Sequence, residues 1–231
     1  MNHQEKNELL MAEYEIYFSE LQTKFDEETK ATLSLPLLMH IFPEYDNLAR
    51  KVMVVGQETK GWYGALSDTT KNPTNIIGCY KKFELGKDYY SSPFWRFGKT
   101  LFSKLNPSNN PNGLLWTNLS KVDQNGSGVN QDVRKKNKAG YDLLVKEIAI
   151  TKPEIVVFLT SWREDDTLKA TFGKVTFEKI EDIPYEYLVR VKNENLPHNT
   201  FRTYHPRFLN DSTRSKYTIN EIIEKVKNNC G

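Results

Sequence analysis

Four apolar runs each stop at a polar cluster: VMVVG before Gln57-Glu58, GLLWT before Asn118, IVVFL before Thr160-Ser161 and FRTY before His205-Pro206. A carboxylate can activate water, an amide can read a polar ring edge, hydroxyls near a helix start can hold a phosphate, and an imidazole can stabilise a departing anion. If the four runs are neighbouring parallel strands, their ends meet outside one sheet edge, where open α/β sheets bind ligands.

Each cluster also has a plain structural reading. Glu58 can cap a helix or sit solvated, Asn118 can cap a loop, and Thr160-Ser161 can simply N-cap the helix that follows. His205 can be structural too, although Pro206 stiffens the backbone behind it and would aim the ring consistently.

The elements that must carry these residues are legible as periodicity. Leu10, Tyr14, Tyr17, Phe18, Leu21 and Phe25 recur three and four apart, so the first thirty residues read as an amphipathic helix. A shorter helical stretch is expected after Pro36. Strands are expected at 52–55, in the GLLWT run, at 155–159 and at 200–204, with weaker candidates at 175–177 and 187–191. Residues 60–90 have no clear period and carry Gly61, Gly64, Gly78 and Gly86, which reads as one long functional or mobile loop.

Ser92-Pro93 opens a helix marked by Phe94, Phe97, Leu101, Phe102 and Leu105 that stops at Pro107. Further helices are expected at 141–150, from Ser161 to Phe172, and at 219–226. The basic cluster Arg134 to Lys138 reads as a loop, either solvated or touching a phosphate backbone. Strands alternating with helices predict an α/β fold, a three-layer αβα sandwich around a central, mainly parallel four-stranded sheet. At 231 residues one domain is expected, with 1–50 as a helical region packed on a core at 51–210 and a C-terminal helix at 211–231.

Bulk properties narrow the partners. The formal net charge is +2 and the pI about 8.3, an even mix of signs that permits nucleic-acid binding without demanding it. Cys79 and Cys230 are too few and too far apart for a disulfide framework or a paired-cysteine metal site, so no metal is expected and a reducing compartment fits. No long apolar run suggests a membrane span, and the charged stretch EKNELLMAEYE near Met1 does not resemble a signal segment, so a cytoplasmic protein is expected. The G-x-S-x-G elbow and the glycine-rich nucleotide loops are absent, which weakens an unrelated hydrolase or nucleotide-binding reading.

In order and spacing, VMVVGQE, LLWTNLSK, IVVFLTSW and TYHPRF resemble the successive motifs of the uracil-DNA glycosylase superfamily, over about 51–210. The resemblance implies a uracil-DNA glycosylase-like fold that hydrolyses the bond between deoxyribose and uracil, or another altered base, after the nucleotide is flipped out of DNA. Glu58 then falls at the catalytic acidic position beside Gln57, Asn118 matches the residue that binds the base, and His205 matches the one that stabilises the leaving base anion. Tyr80, Phe83 and Phe94 are candidates for the ring that stacks on the base. Thr160, Ser161 and Arg207 are candidates for DNA phosphates, and Phe208 or Leu209 for a wedge in the vacated stack. The implied partner is single- or double-stranded DNA, met by a monomer without cofactor.

The sequence also departs from the family pattern. Thr59-Lys60 stands where the uracil-specific motif has Pro-Tyr, so a wider pocket is implied, and His-Pro-Arg replaces His-Pro-Ser. TNLSK resembles the iron–sulfur branch, yet two cysteines cannot supply that branch's four ligands. The alternative is a superfamily member that has lost hydrolysis and only binds DNA or a protein partner.

Overall fold

The computed structural model describes residues 1–209 and 212–228, apart from the side chains of Ser212 and Thr213; Cys230 and the end of the expected core at Asn210 lie outside the described residues. In chain order the elements are α1 (His3–Lys24), α2 (Glu27–Thr32), β1 (Val52–Gly56), α3 (Pro73–Phe83), α4 (Pro93–Leu105), β2 (Leu115–Asn118) and α5 (Gln131–Lys136). They continue as α6 (Lys138–Thr151), β3 (Ile155–Phe158), α7 (Asp165–Phe172), β4 (Thr176–Lys179), β5 (Leu188–Lys192), β6 (Asn199–Thr203) and α8 (Ser212–Asn228).

The class is α/β, with one six-stranded mixed sheet in the order β2-β1-β3-β6-β5-β4. β2, β1, β3 and β6 are mutually parallel, and every residue of β1, β2 and β3 is buried, as expected of strands covered on both faces. The four-stranded expectation is therefore corrected to six. β5 and β4 extend the sheet antiparallel beyond β6, and the outermost strand, β4, is partly solvated, which is why its pattern in the sequence is weak. Helices pack in two groups, α1 against α6 and α3, and α4 against α8.

Three local expectations also change. The segment after Pro36 is extended, not helical: Leu37, Leu38, Met39 and Ile41 are buried, and the Leu37 N–H donates to the Lys121 carbonyl. A run of consecutive apolar residues suits a buried extended strap as well as it suits a helix. The long loop at 60–90 contains α3, opened by Asn72, whose side chain and that of Asn75 cap each other's backbone N–H, with Pro73 at the first helical position. The basic cluster is helical as well: Arg134 to Lys136 close α5 and Lys138 opens α6.

A buried ion pair locks the sheet to the helices on one side. Lys121, just past β2, and Glu147 of α6 are both fully buried and 2.5 Å apart. The same carboxylate accepts from Thr117 of β2 at 2.8 Å and from Tyr14 of α1 at 3.1 Å. One continuous apolar cluster reaches from Leu10 in α1 to Val226 in α8.

Candidate functional site

Strand register decides which residues meet. Gly56 pairs with Asn118, Val55 with Phe158, and Phe158 with Arg202, so Asn118, Gly56, Leu159 and Thr203 lie level across four strands. Pairing runs on past the strands: Leu159 N–H donates to the Val55 carbonyl, and Ser161 N–H to that of Thr203. Two residues beyond the level row come Glu58, Ser161 and His205. The parallel strands thus deliver all four polar clusters to one edge.

Gly56 is the hinge of the arrangement. A Cβ there would meet Asn118 Oδ1 with no room to spare and would stand 3.3 Å from the Phe94 ring, so a glycine lets the amide and the ring close over the end of β1. Phe94, in the first turn of α4, stacks on His205 with ring centroids 6.0 Å apart and planes 23° from parallel. Asn118, Gly56, Phe94 and His205 are therefore contiguous. Asn118 is buried, and its Nδ2 has no hydrogen-bond partner. A buried donor left unmatched costs about 1–3 kcal/mol.

His205 has a defined proton arrangement. Its Nδ1 accepts the Arg207 N–H at 3.2 Å, so the neutral ring carries its proton on Nε2 and offers it as a donor. Burial, and next the charge of Arg207, push its pKa below the usual value of 6.5. Neutral imidazole is the form present at neutral pH.

Glu58 is half-buried on the loop after β1, and among the described residues nothing hydrogen-bonds its carboxylate. Burial and then repulsion from Glu164 raise its pKa, while Arg134 opposes the rise. Arg134 is itself held by Glu164 at 2.9 Å and Thr167 at 2.6 Å. The loop is shaped from below by Asp123, whose buried carboxylate accepts from Thr59 Oγ1, Gly61 N–H and Gly126 N–H. Gln57 turns sideways and donates to the Thr160 carbonyl at 2.8 Å, tying the ends of β1 and β3 together.

The remaining candidates have other surroundings. Tyr80 is buried, stacked on Trp116 and donating to its carbonyl; Phe83 lies among Trp62, Tyr89, Trp95 and Trp116. Of the three aromatic candidates, only Phe94 touches His205. The Thr160 side chain is fully buried with Oγ1 unpartnered, and Ser161 is buried at φ +68°. Ser161 makes no side-chain cap; a short 3-10 turn at Trp162–Glu164 precedes α7, which starts at Asp165. Arg207 is exposed, and Phe208 is 63% exposed with its ring 6.5 Å from that of His205.

Within the basic cluster, Arg134, Lys136 and Lys138 pair with Glu164, Asp132 and Asp142. Sequence reasoning read Glu164 only as a carboxylate in the first turn of the helix after Ser161, and gave no role at the site to Asp123 or Gly56. Only the last had a usable signal, a glycine closing an otherwise branched apolar strand.

Among the described residues no helix is long and apolar enough to cross a membrane, and no group of three or more His, Cys, Asp or Glu side chains could hold a metal ion. No protein-family model matches the chain, and no curated protein matches it.

Proposed function

We propose that this chain is a DNA glycosylase-like hydrolase that cleaves the N-glycosidic bond of uracil or another altered base flipped out of DNA. The observation that carries the reading is the buried, unpartnered Nδ2 of Asn118 beside Phe94, which stacks on His205, at the strand edge that also bears Glu58. A planar heterocycle with an acceptor on its edge satisfies that donor and lies against the Phe94 ring.

The chemistry follows from the charges. Breaking the bond between C1′ and the base nitrogen leaves an oxocarbenium-like sugar and puts the electron pair on the base. The Glu58 carboxylate stabilises the sugar and takes a proton from the water that adds to C1′; His205 Nε2–H donates a hydrogen bond to the anionic base. Asn118 fixes the base edge and Phe94 its plane. The uracil-DNA glycosylase-like fold and a DNA partner belong to the same proposal, supported by the order and spacing of the four motifs. Lys60, exposed to solvent, stands where the uracil-specific motif has its Tyr, and the lack of a ring at this point suits a base wider than uracil.

The test is incubation with oligonucleotides bearing uracil, hypoxanthine or modified cytosines, followed by alkaline cleavage of abasic sites. Strand breaks that disappear in Glu58→Gln and His205→Ala support hydrolysis. Salt-sensitive binding with no break on any base of the panel supports the binding-only alternative.

A further inference from the structure

A second recess opens on the same edge, one strand beyond His205. Leu188 pairs with Thr203, so Tyr187 stands level with Tyr204, the neighbour of His205, and their rings meet edge to face at 5.2 Å. Tyr204 in turn accepts a hydrogen bond from Trp162 Nε1 at 3.1 Å, and Trp162 is 41% exposed at the end of β3 with Arg163 over its ring. An aromatic path therefore leads from the candidate site across the ends of β3, β6 and β5.

The path ends in a cavity of about 260 Å³ lined by Ile183, Pro184, Tyr187, Leu188, Arg214 and Tyr217, with Thr218 beside them. Arg214, Tyr217 and Thr218 are spaced to share one face of α8. The Arg214 guanidinium lies 5.7 Å from the Tyr187 ring centre, and among the described residues no carboxylate pairs with it. Tyr217 is half-exposed although its ring fills no core position. The half-exposed Tyr217 ring, an apolar floor and the Arg214 guanidinium, which no described carboxylate pairs, match a nucleobase and its phosphate: the ring face stacks, and the cation takes the charge.

We propose that this recess is a subsite for an unstacked base of single-stranded DNA, flanking the nucleotide whose base enters the Asn118–His205 site, so that single strand is the preferred form of the substrate. A base within a duplex is stacked on both sides and cannot enter. The proposal rests on the reading of DNA as the substrate, but it needs no hydrolysis.

The experiment is fluorescence anisotropy with a short labelled oligothymidylate, the same sequence annealed to its complement, and thymidine monophosphate as competitor. Tyr217→Ala and Arg214→Gln alter surface positions on α8, so a folded protein is expected. Each should weaken single-strand binding by about five- to a hundredfold, with Arg214→Gln also lowering the salt slope by about one, while Tyr217→Phe retains binding. The duplex should bind more weakly and ignore Tyr217→Ala. The proposal is overturned if the oligothymidylate does not bind, if both variants bind it like wild type, or if the mononucleotide binds as tightly as the strand. Variant-sensitive oligothymidylate binding without base release from altered oligonucleotides would sink the hydrolysis reading alone; base release with variant-insensitive binding would sink the subsite alone.

Discussion

Asn118 and Gly56 make the sharpest residue-level case, because a buried amide nitrogen without a partner is expensive and a glycine is what allows it to sit there. Gly56→Ala would drive a methyl group into Asn118 Oδ1. Overpacking of this kind costs about 1–3 kcal/mol, so the variant should fold with a lowered unfolding midpoint and lose base release more severely than it loses stability. Parallel denaturation and activity measurements check the split. Glu58 carries a second prediction, in pH. Its folded-state pKa is raised, so the proton is held more tightly in the folded protein than in the unfolded chain. The resulting stability is fully present below the ordinary carboxylate value of 4.5 and is lost as pH rises through the folded value. Glu58→Gln should therefore be more stable than wild type at neutral pH, and the gain should vanish as pH falls below 4.5; urea denaturation across pH reads it. Activity should run the opposite way, since the reaction needs the carboxylate, and His205, already neutral at pH 7, should add no further loss between neutral and mildly alkaline pH.

Elements differ in how much they reveal before folding. β1, β2 and β3 were legible because strands buried on both faces read as unbroken apolar runs, and α4 because Pro93 opens a clean period of phenylalanines and leucines. α3 was hidden, since Gly78 and the Lys81-Lys82 pair interrupt the pattern of Ile76, Ile77 and Tyr80. The choice of Phe94 over Tyr80 and Phe83 could not be made from residue type; it depends on which ring the start of α4 swings towards His205. Asp123 was illegible for a related reason, as its three acceptor contacts reach backbone and side chain on two separate loops. The Lys121–Glu147 pair, which joins β2 to α1 and α6, gives an element-level test. Glu147→Ala strands a buried ammonium and should destabilise by about 3–5 kcal/mol, whereas the double change Lys121→Met, Glu147→Gln should recover much of that loss. A urea-unfolding series on the three proteins measures both steps.

At the scale of the whole molecule, a parallel four-strand segment brings polar residues from distant parts of the chain to one edge, and an antiparallel pair continues that edge towards α8. On the proposed reading the reacting site and the strand-binding recess lie side by side along a single rim, which also carries Arg163, Arg207 and Arg214, while much of the α5–α6 basic cluster is neutralised by its own carboxylates. Such a layout predicts that base release and single-strand binding separate by mutation: changes at Glu58 and His205 affect the first, and changes on α8 the second. The most direct measurement is the single-turnover rate of free-base release from a single-stranded oligonucleotide carrying an altered base, for wild type, Glu58→Gln and His205→Ala, each shown to be folded by circular dichroism. Loss of either contact should slow release about a hundred- to a thousandfold while oligonucleotide affinity stays near wild type; release by both variants at the wild-type rate would contradict the assignment of this edge as the reacting centre.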